Sequence, residues 1–188
     1  MMYNGHLPTQ GSLLIAEPFV IDPIFERSVI LLCEHHAEAS IGLILNNKSH
    51  LILSDIFTKI KDSSFPIYIG GPVEESALFF LHRTFEKIQS GVHIYDDIYW
   101  GGDFDYAVEL INDGILLPNE IKFFLGYSGW SPKQLSNELD LNSWAVHTSY
   151  DTSLAFIHDG EYLWKQSLIS LGPKYAHVAN FPKTPFLN

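Results

Sequence analysis

The chain has one cysteine, Cys33, among its 188 residues. An intramolecular disulfide is thereby excluded, and a reducing compartment is expected. Basic residues are scarce: 11 Lys and Arg stand against 22 Asp and Glu, for a net charge of −11. A surface of that sign repels phosphate backbones and anionic lipid, so binding either one needs a local basic patch against the general field. No window of the sequence supplies such a patch, and neither nucleic acid nor membrane is expected as a direct partner. Long apolar runs are missing too, since none approaches the ~18 residues that span a bilayer. No Lys or Arg precedes Arg27 and no extended apolar region follows the start, so no secretory leader is expected. Together these absences predict a cytoplasmic protein.

What is present is a globular composition, 46% hydrophobic and 18% charged. A chain of this length buries roughly 70% of its unfolded surface without a covalent staple. A single domain over residues 1–188 is the expectation, with no repeat, linker or low-complexity segment.

Strands are predicted at 12–17, 28–34 and 41–46. Val29-Ile-Leu-Leu-Cys33 is apolar on both alternating faces, the pattern of a strand covered on both sides. Asp22-Pro23 predicts a capped turn through Arg27. Further strands are predicted at 66–69, 78–82, 92–95 and 121–127, with Gly70-Gly71-Pro72 as a tight turn. Helices are predicted at 54–61 with Ser54 as cap, along the Phe104–Ile111 stripe up to Gly114, and at about 161–171. Ser131-Pro132-Lys133-Gln134 reads as a helix start, with Ser131 as cap, Pro132 in the first turn and Trp130 stapled onto Leu135. The tail to Asn188 is expected to pack as an extended cover. Alternating strands and helices favour a sheet layered by helices.

Five groups of residues invite a chemical reading. Gly126-Tyr127-Ser128-Gly129-Trp130 places a serine between strand and helix, as in a nucleophile elbow, but Trp130 stands where the last glycine belongs. A glycine turn is the favoured reading. Cys33 and His35 share a strand face at about 6.5–7 Å, too far for the hydrogen bond that activates a thiol, so a buried structural thiol is expected. His35 and His36 point to opposite sides if the strand reaches them, which argues against a shared metal. Gly70-Gly71-Pro72 lacks the lysine and glycine spacing of a phosphate loop. Finally, Arg27, Glu34, His35 and Asn46 crowd the ends of the first three strands and are the candidate ligand contacts. No cofactor, metal or catalytic residue is assigned.

Several separated motifs occur in one order: Gly11-Ser-Leu-Leu-Ile-Ala16, Asp22-Pro-x-Phe-x-Arg-Ser-Val29, Cys33-Glu-His35 and Gly42-Leu-Ile-Leu-Asn46. They continue as Gly70-Gly-Pro-Val73, Gly126-Tyr-Ser-Gly-Trp130, Leu171-Gly-Pro-Lys-Tyr-Ala176 and Asn180-Phe-Pro182. In this the chain resembles the bacterial YqgE/AlgH family along nearly its whole length. It departs at Ala39 and Lys133, where glycine is usual, and at Ser136, where glutamate is usual. The resemblance implies a three-layer α/β/α fold around a mixed sheet, with or without a small α+β lobe. The family's molecular activity is unsettled, and members are often labelled transcriptional regulators. The expected function is non-catalytic: a cytoplasmic regulatory or interaction protein acting through a protein partner or small ligand. The alternatives are a hydrolase using Ser128 or the Glu34/His35 corner, and a transcriptional regulator, for which the charge opposes direct DNA contact.

Overall fold

A computed structural model describes residues 5–20, 22–61 and 65–182. Its strands are Leu13–Ala16 (β1), Val29–His35 (β2), Ser40–Ile44 (β3), Lys48–Ile52 (β4), Pro66–Ile69 (β5), Val73–His82 (β6), Val92–Tyr95 (β7), Ile98–Trp100 (β8), Ile121–Trp130 (β9) and Trp144–His147 (β10). Among the described residues, six α-helices accompany them: Leu53–Ile56 (α1), Phe85–Ile88 (α2), Phe104–Asn112 (α3), Gln134–Asp140 (α4), Gly160–Ser170 (α5) and Pro173–Ala176 (α6). The strands form one sheet in the order β10-β1-β2-β3-β9-β6-β8-β7, with β5 also on β9 and β4 beyond β5. The sheet is mixed, because β5 runs parallel to β9 while the other pairs are antiparallel.

β9 organises the sheet. Its first half pairs Phe123 with Ile67 of β5, and its last residues pair Ser128 with Gly42 and Trp130 with Ser40 of β3. Gly126, at φ 68°, makes the kink between the two halves, a conformation that glycine enters without side-chain strain. β3 and β5 therefore share one flank of β9, and β6 takes the other.

Period-two alternation then divides the core between two faces. Leu13, Ile15, Leu31 and Cys33 pack with Leu163, Trp164 and Leu168 of α5. Leu14, Ile30, Leu32 and Ile44 face the other way and meet Leu135 and Leu139 of α4. In the β5–β6–β9 half, Ile67, Phe80 and Phe123 pack on Ala107, Val108 and Ile111 of α3. Helices thus cover both faces, and the fold is a three-layer α/β/α sandwich.

The expected adjacency of the first three strands holds, as do β5, β7, α3 and α5 to within a residue or two. Asp103 and Asp159 cap α3 and α5 by accepting the Tyr106 and Tyr162 backbone N–H groups. Four expectations are corrected. The helix at 54–61 is a single turn, because Asn112 captures the chain beyond it: its amide donates to Lys59 O and its carbonyl accepts from Lys61 N–H. Ser54 does not cap that turn; Asp55 accepts the Ile52 N–H instead. The strand expected at 78–82 begins at Val73. The tail is not extended up to residue 180, since Gly172-Pro173 starts α6 and a 3₁₀ turn follows at 178–180; residues 183–188 lie outside the described ones. β4, β8 and β10 have no counterpart among the predicted strands.

α4 also starts later than its sequence suggests. Pro132 and Lys133 form a turn, Lys133 takes φ 64°, and the helix opens at Gln134. Ser131 is not a cap; its N–H and hydroxyl both donate to Gln134 Oε1, at 3.1 and 3.2 Å. Trp130 and Leu135 belong to one core cluster, but with the helix opening at Gln134 they do not hold the staple positions.

Candidate ligand-binding site

Arg27 and Asn46 lie together where β2 begins and β3 has just ended. Arg27 is only 4% exposed and stacks over the Trp164 ring at 4.5 Å. Its Nη1 donates to Glu161 Oε1 at 2.6 Å and its Nη2 to Phe181 O at 2.6 Å. Asn46 Nδ2 donates to Arg27 O and Gly160 O, and its Oδ1 accepts the Val29 N–H. These bonds rivet the sheet to α5 and the C-terminal segment. Asn46 also lines a small cleft of about 130 Å³ beside Ser28 and Glu26.

Glu34 and His35 sit at the opposite end of β2, so the four residues form two separate pairs. Glu34 is half-buried opposite Ile41. His35 Nδ1 is 2.7 Å from Ser40 Oγ. Burial lowers its pKa, and the neighbouring His36 lowers it further. β2 ends at His35, so the strand argument does not separate the two imidazoles: both line one cavity of about 340 Å³ with Ser40, Ser131, Lys133 and Ser136. Among the described residues, no three His, Cys, Asp or Glu side chains gather as metal ligands.

Ser128 does not sit on an elbow. It is 1% exposed within β9 and donates to Gly70 O at 3.1 Å. That carbonyl also accepts the Ile44 N–H, while Gly70 N–H donates to Leu125 O. The serine and glycine motifs are therefore two halves of one backbone junction, in which Ser128 Oγ is committed as a donor. Cys33 is wholly buried, its thiol 3.8 Å from Leu31 O, and burial pushes its pKa up, so the reactive thiolate is disfavoured.

A cavity of about 340 Å³ lies on the α4 face, lined by Asp22, Phe25, Pro72, Trp130, Glu138 and Trp144 among others. Trp130 ends β9 and Trp144 starts β10; they are 4% and 3% exposed and meet edge to face. Phe25 meets Trp144 edge to face as well. Glu138 projects from α4 between the indoles, and its Oε2 accepts from Trp130 Nε1 at 2.9 Å and Trp144 Nε1 at 2.8 Å. Its Oε1 accepts from Gln134 Nε2 at 3.0 Å. Glu138 belongs to none of the four ion pairs among the described residues, so it presents a fixed carboxylate beside aromatic walls. Asp22 accepts the Ile24 N–H in an Asx turn that carries Phe25 to the rim. The sequence alone did not point to this cavity. The available signal was Gln134 and Glu138 one helical turn apart, directly after Trp130, with Trp144 six residues further on.

A second unforeseen cluster lies inside the other layer. Lys122 is 1% exposed; its Nζ donates to Ile157 O at 2.7 Å and Ala155 O at 3.3 Å, and sits 4.2 Å over the Tyr68 ring. Burial lowers its pKa to about 7. Tyr68 Oη is 2.9 Å from His158 Nδ1; burial raises the phenol and lowers the imidazole, which Lys122 and Lys48 lower further.

Comparison with known proteins places these features in a family. A family description, AlgH-like, matches residues 13–176. A UPF0301 protein of Parabacteroides distasonis is 44% identical over 189 residues, covering 99% of this chain and 94% of that protein. One of Cytophaga hutchinsonii is 40% identical over 181 residues, covering 96% and 99%. The solution structure of AlgH from Pseudomonas aeruginosa superposes with a TM-score of 0.71 at 28% identity, covering 95% of this chain and 98% of that one. The crystal structure of a Corynebacterium diphtheriae protein gives 0.77 at 21% identity over 96% and 95%, a likeness of fold. On the matches of sequence and fold together, the chain belongs to the AlgH-like family.

Proposed function

We propose that the protein is a non-catalytic regulatory or interaction protein of a reducing, cytoplasmic compartment, and that it engages its ligand or partner at the Trp130–Trp144 cavity. One observation carries this reading. Residues from three stretches far apart in the chain, Asp22 with Phe25, Pro72, and Gly129 with Trp130, line that single cavity. A concave space with aromatic walls and a few convergent polar groups is the form that ligand pockets take. Ser128 and Cys33, the nucleophiles the sequence offered, are buried in backbone contacts elsewhere. His35 lines a cavity along the same helix, α4, and is proposed as a contact at the periphery of the same surface. The net charge of −11 favours cationic or neutral partners over duplex DNA.

The test is a set of ¹H–¹⁵N spectra of the intact chain against a panel of amino acids, amines, nucleotides and sugar phosphates. The four tryptophans report through their indole N–H signals. Binding at the proposed site shifts the Trp130 and Trp144 signals and spares that of Trp164, which is held on Ala16 O in the opposite layer. Turnover of an ester or amide substrate that Ser128→Ala abolishes would overturn the non-catalytic reading.

A further inference from the structure

We infer that the Trp130–Trp144 cavity is a receptor for an organic cation, the ammonium or guanidinium group of a lysine- or arginine-type side chain. The inference rests on the proposed function, since it names the ligand chemistry of the same site. Two independent features of the cavity point to it. Among the described residues its charged lining groups are Asp22 and Glu138, both acidic, and no described Lys or Arg lines it. Its walls are Phe25, Trp130 and Trp144, and aromatic faces attract cations through their quadrupoles, tryptophan most strongly.

The geometry prepares the charge in advance. Free glutamate on a helix surface swings among rotamers and is screened by water. Glu138 is instead held by three donors, two of them indoles locked into the core. Those three donors fix the carboxylate in place, and no described ion pair neutralises it. An anionic ligand entering here meets two carboxylates and no described cation. A neutral apolar ligand would leave the Asp22 side chain to be desolvated without compensation. A cation resolves both costs, because it pairs with the carboxylates while its alkyl stem covers the aromatic rims.

The volume, about 340 Å³, suits one side chain or a short amine rather than a folded segment. The net charge of −11 adds long-range attraction for a basic polypeptide. The structure therefore assigns the cavity to a single basic side chain of a partner protein, with free amines as the competing source of the same chemistry.

The experiment titrates the intact chain with N-acetyl-arginine amide, its neutral isostere N-acetyl-citrulline amide, spermidine and an arginine-containing octapeptide. The indole N–H signals of Trp130 and Trp144 are the readout. The arginine amide is expected to shift both signals saturably and the citrulline amide to leave them still. Asp22→Asn, which keeps the turn-forming oxygen, is expected to weaken the arginine amide by about fivefold, and Glu138→Gln by about tenfold. Because Glu138→Gln perturbs the indole anchorage, the exposed Asp22 variant keeps the test valid if the other unfolds. Tighter binding of the octapeptide than of spermidine supports the side-chain assignment, and the reverse order overturns it in favour of a free amine. If citrulline and arginine amides bind equally, the cation inference fails while the cavity stands as a ligand site. If ligands of any kind shift other signals but never these two indoles, the cavity itself is overturned.

Discussion

Gly70 and Gly126 lie backbone against backbone. A Cβ on Gly70 would strike Gly126 O, and a Cβ on Gly126 would strike Gly71 O. The contact lets β5 leave β9 just where β3 takes its place, so the sheet's continuity depends on two absent side chains. Gly126 adds a φ of 68° that other residues enter only with strain. Gly70→Ala and Gly126→Ala are each expected to destabilise the fold by about 3 kcal/mol or more. Gly129→Ala is the control, since its Cβ would meet nothing nearer than 3.4 Å. Urea midpoints of the three variants decide the matter, and equal losses would remove the junction's special standing.

The apolar half of this architecture was legible in the sequence. Leu13–Ala16 and Val29–Cys33 are continuous buried runs, and a strand covered on both faces leaves that signature. β4 left none: Lys48-Ser-His-Leu-Ile52 is largely exposed and is a strand only because β5 pairs with it. β10 is fully buried but only four residues long, too short for a periodic signal. The candidate site was less legible than the fold. Arg27 and Asn46 were conspicuous as polar groups among strands, and the structure spends both on clamping α5 to the sheet. Nothing local in the sequence reveals that the Trp130 and Trp144 indole N–H groups share one carboxylate on an intervening helix.

The Arg27 clamp makes a sharp prediction. Its guanidinium is buried between Glu161, Phe181 O and the face of Trp164. Arg27→Ala leaves the Phe181 carbonyl and the part-buried Glu161 carboxylate each short of a donor, and a loss of about 2–3 kcal/mol is expected, discounted because Glu161 is partly solvated. Arg27→Lys should recover little, since an ammonium provides neither the forked geometry nor the flat stack. Thermal denaturation distinguishes the two cases. A lysine variant as stable as the parent would mean that charge alone suffices.

Lys133 is a non-glycine residue in the left-handed region. It holds φ 64° at the entrance to α4 with its side chain exposed. A left-handed residue other than glycine bears about 1–2 kcal/mol of strain. Glycine relieves this but gives back part through a freer unfolded chain. Lys133→Gly is expected to stabilise by about 0.5–1 kcal/mol, and Lys133→Val to destabilise. A glycine variant less stable than the parent in chemical denaturation would show that the lysine makes a compensating contact.

Lys122 ties stability to pH. Burial brings its folded pKa to about 7, while an unfolded lysine titrates near 10.4. Between these values the unfolded chain holds a proton that the folded chain has released, so stability rises with pH from about 7 towards 10. Below about 7 both states are charged; the group then adds no slope, and the full cost of burial is present. The slope can reach about 1.4 kcal/mol per pH unit, with the two carbonyls and the Tyr68 face working against it by favouring the cation. Neighbours fix the window. His158, lowered by burial, acts below the range, whereas Tyr68 and Cys33, both raised, oppose the trend at its upper end. The clean readout is the stability difference between the parent and Lys122→Met, measured by urea denaturation at steps between about pH 7 and 9.5. The parent is expected to gain on the methionine variant at each step. A difference that stays flat across that range would mean that Lys122 keeps its proton inside the fold, and that the carbonyl and aromatic contacts outweigh its burial.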